Sequence, residues 1–202
     1  PYDEAFRAES GNTTPRYNSQ QEIYQRLQSI LDEAILNLNK PSASNISEPG
    51  DDDFIFQGDT QKWIKVAYVL KARYALRLSL RDTNAAQKAL DYLTLAGMTS
   101  NADDANTYFP GTANGLNQWF AFEDSRQNYL KMGQFYVNHL ILTNDPRLPF
   151  AVAQDTNGNY TGNAANDLDS VSTSYIGSAF ASQTSAIGLV TYAEAKFIEA
   201  EA

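Results

Sequence analysis

Six aromatic residues fall between Asn106 and Leu130: Tyr108, Phe109, Trp119, Phe120, Phe122 and Tyr129. The 12% aromatic content of the chain predicts about three in such a window, so the density is roughly doubled. Asn106, Asn114, Asn117, Gln118 and Asn128 are interleaved with them, each amide offering both a donor and an acceptor. Flat apolar rings beside amides suit a ligand with an apolar face and a rim of hydroxyls, and irregular loops on a rigid scaffold are where such sites form. Trp119 leads the candidate ligand contacts, followed by Tyr108 and Tyr129, with Asn117 as the polar member. The competing role for these rings is to pin a long loop to the core, because large aromatics are commonly buried.

Other reactive groups carry weaker signals. Asp155-Thr-Asn-Gly-Asn159 begins like a calcium loop, but the sixth and twelfth positions hold Tyr160 and Asn166 in place of glycine and glutamate, so it reads as a turn. The Asp51–Asp53 run reads as a solvated loop face. His139 is the single histidine and lacks the second histidine of a paired metal motif; no phosphate-binding glycine loop is present. With no cysteine, disulfides, thiolate metal sites and cysteine nucleophiles are excluded. Neither a cofactor, a metal nor a catalytic residue is expected. Carboxylates are plentiful, so a glycosidase pair meeting only in space stays open as an alternative.

A net charge of −9 argues against nucleic acid as a partner. No apolar run approaches the length of roughly 18 residues needed for a membrane span. The chain begins at Pro1 without an initiator methionine and stops within the helical pattern Thr191–Ala202. Both ends predict an internal piece of a longer protein, with any targeting signal outside it.

Helices are the elements that must position the loops. Ser19 and Glu22 form a capping-box pattern opening a helix from about Ser19 to Asn39, whose inward stripe includes Ile23, Leu27, Ile30, Leu31, Ala34, Ile35 and Leu38. After a polar loop over 40–58, from which Phe54 and Phe56 fold back, Asp59 caps a long helix reaching Arg81. Trp63, Ala67, Leu70, Tyr74 and Leu78 share one face of it, and Ile64, Tyr68 and Ala75 widen that face. Six of the fifteen basic residues also lie there, so this helix requires helical neighbours on more than one side that supply carboxylates. Glu194, Glu199 and Glu201 are the expected partners for Arg73 or Arg77.

A third helix runs from about Asn84 to Ala96, with Ala86, Ala89, Leu90 and Leu93 inward and Gly97 as its stop. Residues 99–128 read as irregular, and helix returns over Lys131–Leu142 with Phe135, Leu140 and Leu142 as core. Asn144-Asp-Pro-Arg-Leu-Pro149 breaks it. Phe150–Ala153 and the segment after Tyr160 form a short β-hairpin through Asn157-Gly158, 163–190 is a surface excursion, and a last helix from Thr191 stacks Ala193, Phe197 and Ala200. The fold class is mostly α, with helical pairs of tetratricopeptide-like character, long irregular loops and that hairpin, drawn as one domain over 1–202.

An ordered set of phrases resembles the SusD/RagB-like family of Bacteroidetes. It comprises Pro1-Tyr-Asp-Glu-Ala-Phe6, Glu22-Ile-Tyr24, Leu31-Asp-Glu-Ala34, Gly58-Asp59 with Lys62-Trp63, Leu70-Lys-Ala-Arg73, Asn144-Asp-Pro-Arg-Leu-Pro149 and Tyr192-Ala-Glu-Ala195. The resemblance implies a surface-exposed outer-membrane lipoprotein that binds a glycan or other nutrient without catalysis. It also implies a SusC-like TonB-dependent transporter as partner, and an N-terminal lipid anchor outside this chain. A helical-repeat adaptor for protein partners is the alternative reading.

Overall fold

The computed structural model describes residues 2–167 and 171–202. Part of the 163–190 excursion, and Pro1 of the first family phrase, therefore lie outside the described residues. The architecture is mostly helical: α1 (Gln20–Leu38), α2 (Thr60–Leu76), α3 (Ala85–Ala96), α4 (Gln118–Ser125), α5 (Gln134–Leu142), α6 (Leu148–Ala151), α7 (Ser178–Ala181) and α8 (Tyr192–Glu201). The short strands β1 (Ala105–Asn106) and β2 (Gly188–Val190) pair antiparallel. Among the described residues no helix is long and apolar enough to cross a membrane. The sequence draws a single domain, whereas the chain divides into two compact units, one of residues 1–106 and 188–202 and one of residues 107–187.

In the first unit the capping box of α1 forms as expected. Ser19 Oγ accepts the Glu22 N–H at 3.2 Å, and Glu22 Oε2 accepts the Ser19 N–H at 2.7 Å. Asp59 caps α2 by accepting from the Gln61 and Lys62 N–H groups. Helix α2 is buried on two sides. Ile64 and Ala67 meet Leu31, Ile35 and Leu38 of α1, while Val66, Val69, Ala72 and Leu76 join Ala89, Ala96, Ala195 and Ile198 in the main core. Lys71 shares this burial: its apolar stem is covered, and its ammonium reaches Asp32 of α1 at 2.5 Å and lies 4.7 Å from the Tyr92 ring centre. The expected acid–base pairing is realised by Arg73 and Glu194, bidentate at 2.6 Å on both arms.

Several local expectations are corrected in this unit. Helix α2 ends at Leu76 rather than Arg81; tight turns follow, with the Leu78 and Ser79 N–H groups on the Ala75 and Leu76 carbonyls. The apolar neighbours run out there, and Leu80 is exposed. In α8 the buried face is Ala195 and Ile198, with Phe197 exposed and Ala193 and Ala200 beside it in solvent, because Ala195 and Ile198 are the residues that meet the main core. Phe56 folds back onto the core but Phe54 does not. Asp53 is not part of a solvated run: it accepts from the Ile55, Phe56 and Gly58 N–H groups and from the Trp63 indole N–H at 2.7 Å. Burial pushes its carboxyl up, and these donors together outweigh it, leaving the pKa lowered.

The second unit has a smaller core, in which Val137, Leu140, Ala151 and Val152 are covered by Met132, Leu148 and Tyr160. Helix α5 contributes Val137 and Leu140, whereas Phe135 and Leu142 are exposed, since only one narrow stripe of this helix meets that core. Asn144, in the left-handed region at φ 49°, closes α5 as Asp145 N–H reaches back to the Leu140 carbonyl. The turn at Asn157-Gly158 forms, but the flanking hairpin does not. Phe150 and Ala151 are helical, and Val152 bridges to Ile176 instead. Gly177 permits that approach, since a Cβ there would meet the Phe150 carbonyl oxygen at 2.2 Å. The strand pair lies in the other unit.

Candidate functional site

Helix α4, read from sequence as part of an irregular stretch, carries the candidate site. Its start is fixed by Asn117, whose Oδ1 accepts from the Trp119 and Phe120 N–H groups at 2.9 and 3.1 Å. The same amide donates from Nδ2 to the Ser185 carbonyl at 2.7 Å, and the Asn117 N–H donates to the Gln183 carbonyl. Both ends of the side chain are thus engaged and the residue is fully buried. The expectation that Asn117 touches ligand gives way to a positioning role: it sets the rotation of α4 and so aims Trp119.

The other end of α4 is closed by Glu123, whose two oxygens accept the Asn128 and Leu130 N–H groups at 2.9 and 3.2 Å. Asn128 adopts φ 69° and accepts the Tyr175 hydroxyl proton at 2.5 Å. Lys131 Nζ sits 3.2 Å from the Tyr175 ring centre and donates to the Thr173 carbonyl. Tyr175 is therefore locked at both its ring face and its hydroxyl.

These elements enclose a groove of about 400 Å³. Trp119, Phe120, Tyr175 and Ile176 give it apolar and aromatic lining, and Asp124 and Gln127 bring polar groups to it. Trp119 is half-exposed, at 48%, and its indole N–H has no protein acceptor among the described residues. A second depression of about 510 Å³, lined by Gln118, Phe122 and Arg126 among others, also has Trp119 in its wall. Tyr129 is exposed and packs edge-on against Phe122, with ring centres 6.3 Å apart. Tyr108 is exposed and lines neither groove. Of the four candidates, then, Trp119 lies in the groove, Asn117 beneath it, Tyr129 beside the second depression and Tyr108 outside both.

Tyr175 is the residue that sequence reading missed. Nothing near it in the chain marks it, because its significance comes from neighbours more than forty positions away. His139 is exposed and stacks on Phe135 at 6.4 Å. Asp155 anchors its turn by accepting from the Asn157 and Asn159 N–H groups and from the Thr161 hydroxyl. The Asn159 N–H is the leading cause of its lowered pKa, against an opposing effect of burial.

A family model described as starch-binding and associating with the outer membrane matches residues 1–202. No curated protein matches the chain. Among solved structures, a SusD/RagB family protein from Bacteroides thetaiotaomicron is 31% identical with a TM-score of 0.74; the match covers 93% of this chain and 42% of that one. A SusD-like protein from the same species is 27% identical with a TM-score of 0.71, covering 95% and 41%. A chitin-binding SusD homolog from Flavobacterium johnsoniae shares the fold at 22% identity, with a TM-score of 0.74 and coverage of 93% and 41%. The chain spans less than half the length of these solved relatives.

Proposed function

We propose that this chain, which belongs to the SusD-like family, supplies a glycan-binding surface of an outer-membrane nutrient-binding protein. The groove beside α4 is the binding surface, and the protein binds its ligand without altering it. The observation that carries this reading is Trp119: a large flat ring, half-exposed at a groove wall, whose indole N–H has no acceptor among the described residues. Sugar rings present an apolar face that such a ring covers and hydroxyls that Gln127 and Asp124 can bond. Tyr129 and Tyr108 are secondary contacts for a longer ligand. The description of the matching family and the chitin-binding relative support a polysaccharide as ligand.

By family, the protein is a lipid-anchored surface lipoprotein that hands its ligand to a SusC-like TonB-dependent transporter. Recovery of a β-barrel transporter with the tagged protein from outer membranes tests that partner.

Titration calorimetry with chito-oligosaccharides and amylopectin tests the site. Trp119→Ala should weaken binding by about 2 kcal/mol, roughly thirtyfold, as loss of a central aromatic anchor does. Its circular dichroism should be unchanged, since the ring is half in solvent. Undiminished affinity in the variant refutes the site.

A further inference from the structure

Helix α4 separates the two depressions by its own periodicity. Phe120, Glu123 and Asp124 face one groove, and Gln118, Ala121, Phe122 and Ser125 face the other. At 3.6 residues per turn these sets lie on opposite sides of the helix, and Trp119 falls on the crest between them, about a quarter turn from each. This is why it lines both. A ligand stacked on Trp119 therefore meets a groove at either end.

The two grooves differ in charge. On one side Asp124 is exposed with no hydrogen bond or ion pair among the described residues, while Glu123 is consumed by its two backbone donors. On the other side Arg126 rests on the Phe122 ring at 5.1 Å and has no carboxylate partner among the described residues. A chain of uniform charge gains at one groove and is repelled at the other, and a polyanion also meets a protein of net charge −9. An uncharged chain has neither conflict.

We infer that the site takes an uncharged, linear oligosaccharide laid across α4, with its middle on Trp119 and its two arms in the flanking grooves. This rests on the glycan-binding reading and adds to it a crossing geometry and a discrimination against polyuronates.

The test titrates neutral chito- and malto-oligosaccharides, from disaccharide to heptasaccharide, and oligogalacturonates of matching length. Ser125→Tyr and Gln127→Tyr, both at exposed positions, place a ring in one groove each. Each should remove the affinity gained by the longer neutral chains, so that affinity no longer rises with chain length. Asp124→Asn should raise oligogalacturonate affinity roughly fivefold at low salt, the effect of one nearby like charge, and should shift neutral chains far less, because the amide still bonds a hydroxyl. Length profiles untouched by both blocking variants, or oligogalacturonates binding as tightly as neutral chains, would overturn the inference. If Trp119→Ala still weakens binding in those cases, the glycan site itself stands. If Trp119→Ala has no effect, both fall.

Discussion

The unit containing α1, α2, α3 and α8 and the unit containing α4 to α7 are held together by different means. In the first, long helices bury Val69, Ala72 and Ala89 completely, and polar links such as Arg73–Glu194 are added at the margin of that packing. In the second, four buried apolar residues among those described form the core, and side chains bonding to backbone fix the short helix α4 (Asn117 and Glu123) and the loops (Asp155 and Ser174). The lesson concerns what each kind of construction allows. Helix packing yields a rigid body with few free polar groups. A loop assembly tied by amides and carboxylates can hold an aromatic ring half in solvent without a large core behind it.

The strongest challenge to this contrast is Asn117→Ala in the second unit. It removes the α4 cap and leaves the Ser185 carbonyl buried without its donor, a loss of about 2–3 kcal/mol. Chemical denaturation should register that loss, and glycan affinity should fall with it as Trp119 loses its orientation. A stability change no larger than that of an ordinary surface substitution would undo the claim that polar bonds carry this unit.

Acid provides a milder perturbation. The Asp155 pKa is lowered in the fold, so its contribution is fully present above the unfolded value near 3.8 and is lost as pH falls through the folded value. Asp145, held to about 2 chiefly by the Arg147 guanidinium, follows the same sign with a window from about 4 down to about 2. Melting temperature should therefore decline as pH drops below about 4. Asp155→Asn should flatten that decline by giving up, already at neutral pH, the stability that acid otherwise removes, while its amide oxygen still accepts from Asn157 and Asn159 so that the turn forms. A parallel decline in the variant would remove Asp155 from the account.

The smallest effect is expected from Glu194→Gln in the first unit. Its partner Arg73 and it are each more than a quarter exposed, and such pairs contribute about 0.5–1 kcal/mol. A loss comparable to that of Asn117→Ala would show that polar links matter equally in the two regions and dissolve the comparison.

Legibility in the sequence follows the same division. Ser19 with Glu22, Asp59 and Gly97 marked the ends of α1, α2 and α3 because caps are local chemistry. Burial of α2 on two sides was readable because apolar residues occupied more than one face. Which face of α8 turns inward was not, since Phe197 and Ile198 are equally apolar and only the neighbouring core chooses between them. Helix α4 was missed for a related reason: at eight residues, its order depends on Asn117 being tied to Ser185, sixty-eight positions on.

For the site, the enrichment of rings around Trp119 was visible in composition, as was the family likeness. The roles within it were not. Asn117 and Tyr108 look alike as candidates in one dimension, yet one is sealed under α4 and the other lies outside both grooves. The amino-acid sequence by itself determined a helical protein of this family with an aromatic, amide-rich segment, because periodicity, capping and composition act over a few residues. Only the tertiary structure decided that Trp119 crowns a helix, that Tyr175 lines the same groove and that Asn117 is buried beneath α4. Those facts depend on hydrogen bonds and packing between segments far apart in the chain, which no local pattern records.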